Sequence, residues 1–76
     1  MNTLYRDGKL KISVYPDHAP PHFHVRTPVG DSTVDLATMA ETAGAADRKL
    51  LARAIAWAIE NKSLIEAAWT KLNGER

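Results

Sequence analysis

All three histidines of this chain fall within seven residues, in Asp17-His18-Ala19-Pro20-Pro21-His22-Phe23-His24-Val25. Imidazole changes charge near neutral pH, serves as a general acid or base, and ligates transition metals. The chain has no cysteine, and no glycine-rich phosphate loop or nucleophile motif interrupts it. His22 and His24 are spaced i, i+2, so on a strand both rings leave the same face. Two imidazoles and a carboxylate suit Zn²⁺ or Fe²⁺. The carboxylate this reading selects is Asp35, which stands opposite His24 if Thr27 pairs with Ser32, while His18 approaches from the loop. A register slip of one residue would carry Asp35 to the other face. The metal set is therefore His22, His24 and Asp35, with a divalent ion such as Zn²⁺ as the alternative to no cofactor.

The same rings could do acid–base chemistry without a metal. His22 and His24 are then the catalytic residues of a ribonuclease-like site, with Asp17 or Asp35 orienting a ring. Arg26, Lys9 and Lys11 stabilise phosphate from the same face. Without cleavage, Arg26 and Lys11 can hold RNA phosphates while Tyr15 or a histidine stacks on a base. The plain structural alternative is that His22 and His24 pack beside Tyr15 and Arg26, and that His18, next to Asp17, ties the loop to the backbone. Pro20 and Pro21 then stiffen the approach to the strand. Whether the protein is an enzyme stays open at this level.

These residues need a scaffold, and the pattern around them supplies one. In Lys9-Leu10-Lys11-Ile12-Ser13-Val14-Tyr15, apolar and polar residues alternate as in a half-buried strand. Asp7-Gly8 is a hairpin-turn signal, so Thr3 to Arg6 pairs back. Pro16 ends the run, and Pro20-Pro21 imposes an extended connection. From His22 to Thr27 the alternation resumes, with Phe23 and Val25 inward. Pro28-Val29-Gly30-Asp31 reads as a turn and Ser32 to Leu36 as the returning strand. Thr38-Met39-Ala40-Glu41 resembles a capping box for a helical turn within the weakly patterned stretch 37–46.

Asp47 reads as an N-cap. Leu50, Leu51, Ala54, Ile55, Ala58 and Ile59 recur at helical spacing to about Glu60. Ser63-Leu64-Ile65-Glu66 reads as a second capping box, opening a helix with Leu64, Ile65, Ala68, Trp69 and Leu72 that stops at Asn73-Gly74. The alternative is one helix bent through 61–63. Strands first and helices afterwards make an α+β fold: a three- to four-stranded antiparallel meander with two C-terminal helices packed on one face. Trp69 is expected in the core. Trp57, at the margin of its stripe, is expected to be half-exposed and to join a binding surface.

At 76 residues the chain reads as one small domain, 1–76, with a formal net charge of +1 from ten basic and nine acidic residues. Such a domain buries only about 60% of its unfolded surface, and a metal or a partner often completes its stability. The charge balance excludes a polycationic nucleic-acid binder. No stretch approaches a membrane span, and the first residues lack the apolar run of a signal peptide. With no cysteine to form a disulfide, a cytoplasmic setting is expected.

The run Asp17-His18, Pro20-Pro21-His22-Phe23-His24-Val25, the later strand and the helical tryptophans Trp57 and Trp69 together resemble a family of small bacterial proteins, domain of unknown function 4160. The resemblance spans nearly the whole chain. It implies no settled biochemistry. Members are commonly encoded beside another small protein, which implies the toxin-like or partner-binding member of a toxin–antitoxin-type pair. Many relatives carry a histidine between the two helices where this chain has Asn61, and a Leu-Pro before the long helix where it has Ala45-Ala46-Asp47. The expected partner is a cognate small protein or a second copy, with RNA as a further candidate. The expected binding residues are Asp17, His18, Arg26, Lys11, Tyr15 and Trp57.

Overall fold

The computed structural model describes residues 2–74. Five strands run in chain order β1 (Asn2–Asp7), β2 (Leu10–Val14), β3 (His22–Thr27), β4 (Gly30–Asp35) and β5 (Glu41–Gly44), each antiparallel to the next. Helices α1 (Arg48–Glu60) and α2 (Lys62–Asn73) follow. The α+β meander with helices after strands is as the alternation and helical spacing predict, with five strands in place of three or four.

The additional strand is β5, where a capping box suggests a helical turn at Thr38–Glu41. Glu41 instead pairs with Val34, and Ala43 with Thr33. Residues 36–40 make the reversal, with Met39 at φ 60°. Glu41 is drawn into the sheet because its carboxylate accepts from Ser32 Oγ at 2.5 Å and takes both terminal nitrogens of Arg48 at 2.9 Å. A bidentate pair of this kind outweighs a weak local helix signal. Ser32 Oγ also accepts the Ala46 backbone N–H, which fastens the start of α1 to the sheet.

Leu10, Ile12, Val14, Phe23, Val25, Val34 and Leu36 are all buried on one face. Against them pack Leu51, Ala54 and Ala58 of α1 and Ile65 and Trp69 of α2, in one continuous core. This is the face chosen by period 2 in the strands and period 3.6 in the helices. Asp47 caps α1 by accepting from the N–H groups of Lys49 and Leu50; a cap of this type is worth about 1 kcal/mol.

The expected cap at Ser63 is not used. Asn61 alone separates the helices, and its Nδ2 donates to the Trp57 carbonyl at 2.9 Å. It thereby satisfies an orphan carbonyl at the end of α1. α2 consequently starts one residue before Ser63 and makes no side-chain cap hydrogen bond.

The β3–β4 register also differs from expectation. Thr27 pairs with Gly30, which sets His24 opposite Thr33 and His22 opposite Asp35. The reason is a loop of only Pro28 and Val29, shorter than the four-residue turn read from the sequence. Gly30, at the start of β4, also packs too closely for a side chain: a Cβ there would lie 2.7 Å from the Ala45 carbonyl oxygen. The shift is two residues rather than one, so the same faces are kept but each facing partner changes.

Candidate functional site

The face of the sheet opposite the helices carries Lys11, Ser13 and Tyr15 from β2 and its end, His22, His24 and Arg26 from β3, and Asp31, Thr33 and Asp35 from β4. At one end of this face the segment 15–21 folds back over the start of β3, with a cis Ala19–Pro20 peptide. That segment brings Asp17 onto the histidines. Asp17 Oδ2 lies 3.0 Å from His22 Nε2 and 4.0 Å from His24 Nε2. One donor atom from each of Asp17, His22 and His24 falls within 4.8 Å of the others.

Each of the three is held by contacts away from its donor atom. Asp17 Oδ1 accepts the His18 backbone N–H at 2.8 Å, and the Asp17 N–H donates to Asn73 Oδ1 at 2.8 Å. Asn73, the last residue of α2, is itself oriented by donating from Nδ2 to the Trp69 carbonyl. The His22 Nδ1–H donates to the Pro20 carbonyl at 2.9 Å, and the ring sits 5.1 Å from that of Trp69. His24 lies edge-on to Tyr15 at 4.8 Å and to His22 at 5.3 Å. With Nδ1 committed as a donor, His22 Nε2 has two options. It can carry a proton and donate to Asp17, or keep its lone pair for a cation.

His24 is different. Its Nε2 is closed off from solvent and has no protein hydrogen-bond partner, and the same is true of Ser13 Oγ. The 4.0 Å to Asp17 is too long for a hydrogen bond. Ser13 is 2% exposed and stands directly across from His24 in the β2–β3 register. Together with Tyr15, Arg26 and Asp31 these two residues line a pocket of about 200 Å³. Buried polar groups in folded proteins are almost all paired, and each one left alone costs about 1–3 kcal/mol. Among the described residues these two, on neighbouring strands, are the buried side-chain polar atoms without a hydrogen-bond partner.

The electrostatics follow the geometry. Asp17 is held below the usual carboxylate range, first by the His18 N–H and then by the His22 side chain. His24 is pushed below the ordinary histidine value by burial, and further by charge on His22. The neutral imidazole, the form that ligates metals, is thus the favoured state of His24.

The chemistry-bearing residues divide as follows. Asp17, His22 and His24 come together, with Tyr15 and Arg26 beside them. Asp35 does not join: it faces His22 rather than His24, and its Oδ1 accepts from the Ala37 N–H in the turn. The carboxylate of the cluster is Asp17, which the 15–21 segment brings onto both histidines, while Asp35 stands across from His22 on the same face. His18 contributes its backbone N–H to Asp17 and lies on the exposed loop. Arg26 is exposed, with Asp31 at 3.6 Å, and Lys11 is its cross-strand neighbour.

Trp57 is separated from this surface, since it stacks at 4.8 Å on Tyr5, whose cross-strand partner is the core residue Ile12. Arg48 and Arg53, which could have extended a basic patch, are engaged by Glu41 and Asp7. Asn73 and Trp69 were not legible as parts of the site. Their only sequence signal, Asn before Gly at a helix end, indicates a stop and says nothing of a loop 56 residues earlier.

A family model described as Domain of unknown function (DUF4160) matches residues 9–70. The chain belongs to the DUF4160 family. The match runs from the start of β2 to near the end of α2, so Ser13, Asp17, His22, His24 and Trp69 all lie within the DUF4160 region and Asn73 just beyond it. No curated protein and no solved structure matches the chain.

Proposed function

We propose that this DUF4160 chain is a small binding protein that engages a cognate protein through the polar face of its sheet, as the partner-binding, toxin-like member of a two-protein module. The observation that carries the reading is the pair of buried, unpartnered polar atoms on that face, Ser13 Oγ and His24 Nε2. Among the described residues the other buried side-chain polar atoms are paired, and groups of a bound partner would satisfy these two. Around them stand Tyr15 and Arg26, residue types enriched where proteins meet. The engagement of Arg48 and Arg53 by carboxylates favours a protein partner over RNA, because it removes two cations from any phosphate-tracking surface. No helix is long and apolar enough to cross a membrane, and a cytoplasmic setting is part of the reading.

The test is co-expression of the untagged chain with the product of its adjacent gene, followed by gel filtration. The expected result is a stable complex that Arg26→Glu and Tyr15→Ala weaken while each variant keeps its thermal transition. Self-association of the chain alone would make the partner a second copy. RNA binding that weakens steeply with salt, in the absence of co-elution, would replace the protein-partner reading. A second reading, metal-binding or hydrolytic, is favoured by the convergence of Asp17, His22 and His24.

A further inference from the structure

We propose that Asp17, His22 and His24 form a binding site for one divalent transition-metal ion of the Zn²⁺ or Fe²⁺ class, with at least one coordination position left open. The inference rests on the reading that the polar face is the working surface, and it adds a ligand to that surface. Its basis is the donor set and how that set is held.

Two imidazole nitrogens and one carboxylate oxygen are the ligands preferred by these ions. Metal–nitrogen and metal–oxygen bonds of about 2.0–2.2 Å put ligand atoms of a tetrahedral site roughly 3.3 Å apart. Asp17 Oδ2 and His22 Nε2 are already at 3.0 Å. Asp17 Oδ2 and His24 Nε2 are at 4.0 Å, and all three donor atoms lie within 4.8 Å. A contraction of about an ångström on the His24 side, within reach of a side-chain adjustment, completes the set.

An ion pair between Asp17 and His22 alone would explain their contact but not His24. His24 Nε2 is buried and makes no hydrogen bond, since Asp17 Oδ2 stands at 4.0 Å. A metal ion is an occupant that can take an imidazole lone pair where no protein donor exists. The supporting contacts have the form found around metal ligands, whose second ring nitrogen normally donates to a carbonyl or carboxylate. His22 does so to the Pro20 carbonyl at 2.9 Å, which leaves its Nε2 directed at Asp17. Asp17 is fixed through Oδ1 by the His18 N–H and through its own N–H by Asn73, which leaves Oδ2 for the ion. The rings of Trp69 and Tyr15 set the planes of His22 and His24.

Three protein ligands leave one position for water or for an atom of the partner. Asp35 stands across from His22 with its Oδ1 taken by the Ala37 N–H, and the His18 backbone N–H holds Asp17. Asp17 is thus the carboxylate ligand, whereas His18 on the same loop and Asp35 on β4 are not ligands.

The experiment uses the untagged full chain, stripped with EDTA and titrated with ZnCl₂ by calorimetry and with CoCl₂ by visible absorption. One ion per chain is expected, with a Co²⁺ spectrum of low-coordinate nitrogen–oxygen character. Asp17→Ala and His24→Ala should each weaken binding roughly 100-fold or more, beyond the 10–100-fold usual for residues that only support a ligand. His18→Ala and Asp35→Asn should bind as the parent does. Asp17 is exposed on a loop, so its variant tests the site even if His24→Ala folds poorly.

Uptake of much less than one equivalent by the parent chain overturns the inference, as does parent-like binding by Asp17→Ala. Loss of binding in Asp35→Asn equal to that in Asp17→Ala also overturns it. Co-elution with the neighbouring gene product by a chain that takes up no metal would sink the metal site and leave the recognition reading standing. One-to-one metal binding without co-elution supports the site and removes the partner.

Discussion

At the residue scale, the decisive contrast is between His22 and His24, which share a strand face yet live in different surroundings. His22 has an acceptor at each ring nitrogen, the Pro20 carbonyl and the Asp17 carboxylate. His24 has its Nε2 buried and alone. Burial and charge on His22 hold His24 below the ordinary histidine value. A base with a lowered folded-state value binds fewer protons folded than unfolded near its transition, so its share of stability is present above the unfolded value and lost as pH falls through the folded one. In a nitrogen-detected NMR titration His24 should therefore protonate below 6.5, the ordinary histidine value. His22→Asn, which removes the neighbouring positive charge, should move its midpoint upward. Ser13 offers a complementary test. Its hydroxyl is buried without a partner, so Ser13→Ala should leave stability unchanged or raise it by up to about 1 kcal/mol in urea unfolding. A loss of more than about 1 kcal/mol would show that the hydroxyl is satisfied within the fold.

At the scale of elements, the junction of β4, β5 and α1 is where local sequence preference yields to tertiary contacts. Glu41 is held at about 2, chiefly by Arg48 and then by Ser32. Its folded-state value is depressed, so the stability it contributes is fully present above the ordinary glutamate value of 4.5 and is lost as pH falls toward about 2. Glu41→Gln should flatten the pH dependence of the urea midpoint across that window and leave its slope near neutrality unchanged. The same junction is intolerant of bulk. A Cβ at Gly44, whose φ is 110°, would overlap the backbone of Asp31 and Ser32. Gly44→Ala should therefore destabilise markedly in thermal unfolding, through both the clash and the positive φ. A tolerated Gly44→Ala would mean that β5 does not pair with β4 in the register Ser32–Gly44.

At the scale of the whole molecule, the site depends on contacts between the first and last thirds of the chain. The end of α2 reaches the loop before β3 through Asn73, and Trp69 joins the core to the His22 ring. Trp69→Ala should cost about 3–5 kcal/mol, as for other buried tryptophans. That is a large part of the stability of a domain this size, so a cooperative near-UV transition should be lost or shifted far toward low urea. Asn73→Ala removes one loop contact and little core, so it should leave the unfolding midpoint nearly unchanged while weakening metal uptake through Asp17. The separation of these two outcomes distinguishes the core role of α2 from its positioning role.

Local periodicity was enough to make the elements and the faces legible. Leu10, Ile12 and Val14 alternate, Phe23 and Val25 alternate, and Ala54 and Ala58 recur one turn apart; each pattern states which side is buried because side-chain direction follows backbone period. The cluster of histidines, the shared face of His22, His24 and Arg26, the N-cap at Asp47 and the end at Asn73-Gly74 are local in the same sense. What lies between elements is not. Whether Pro28-Val29 closes as a two-residue loop, and hence whether Asp35 meets His24 or His22, is decided by the pairing of β3 with β4 along their whole length. Whether 41–44 is helix or strand depends on Arg48. The choice of Asp17 as the carboxylate beside two imidazoles depends on a loop with no period of its own, held by an asparagine 56 residues away. The chain alone determined which residues could do chemistry and which face would carry them. Only the folded structure decided which carboxylate they share, because loop conformation and strand register are set by long-range contacts that no local pattern encodes.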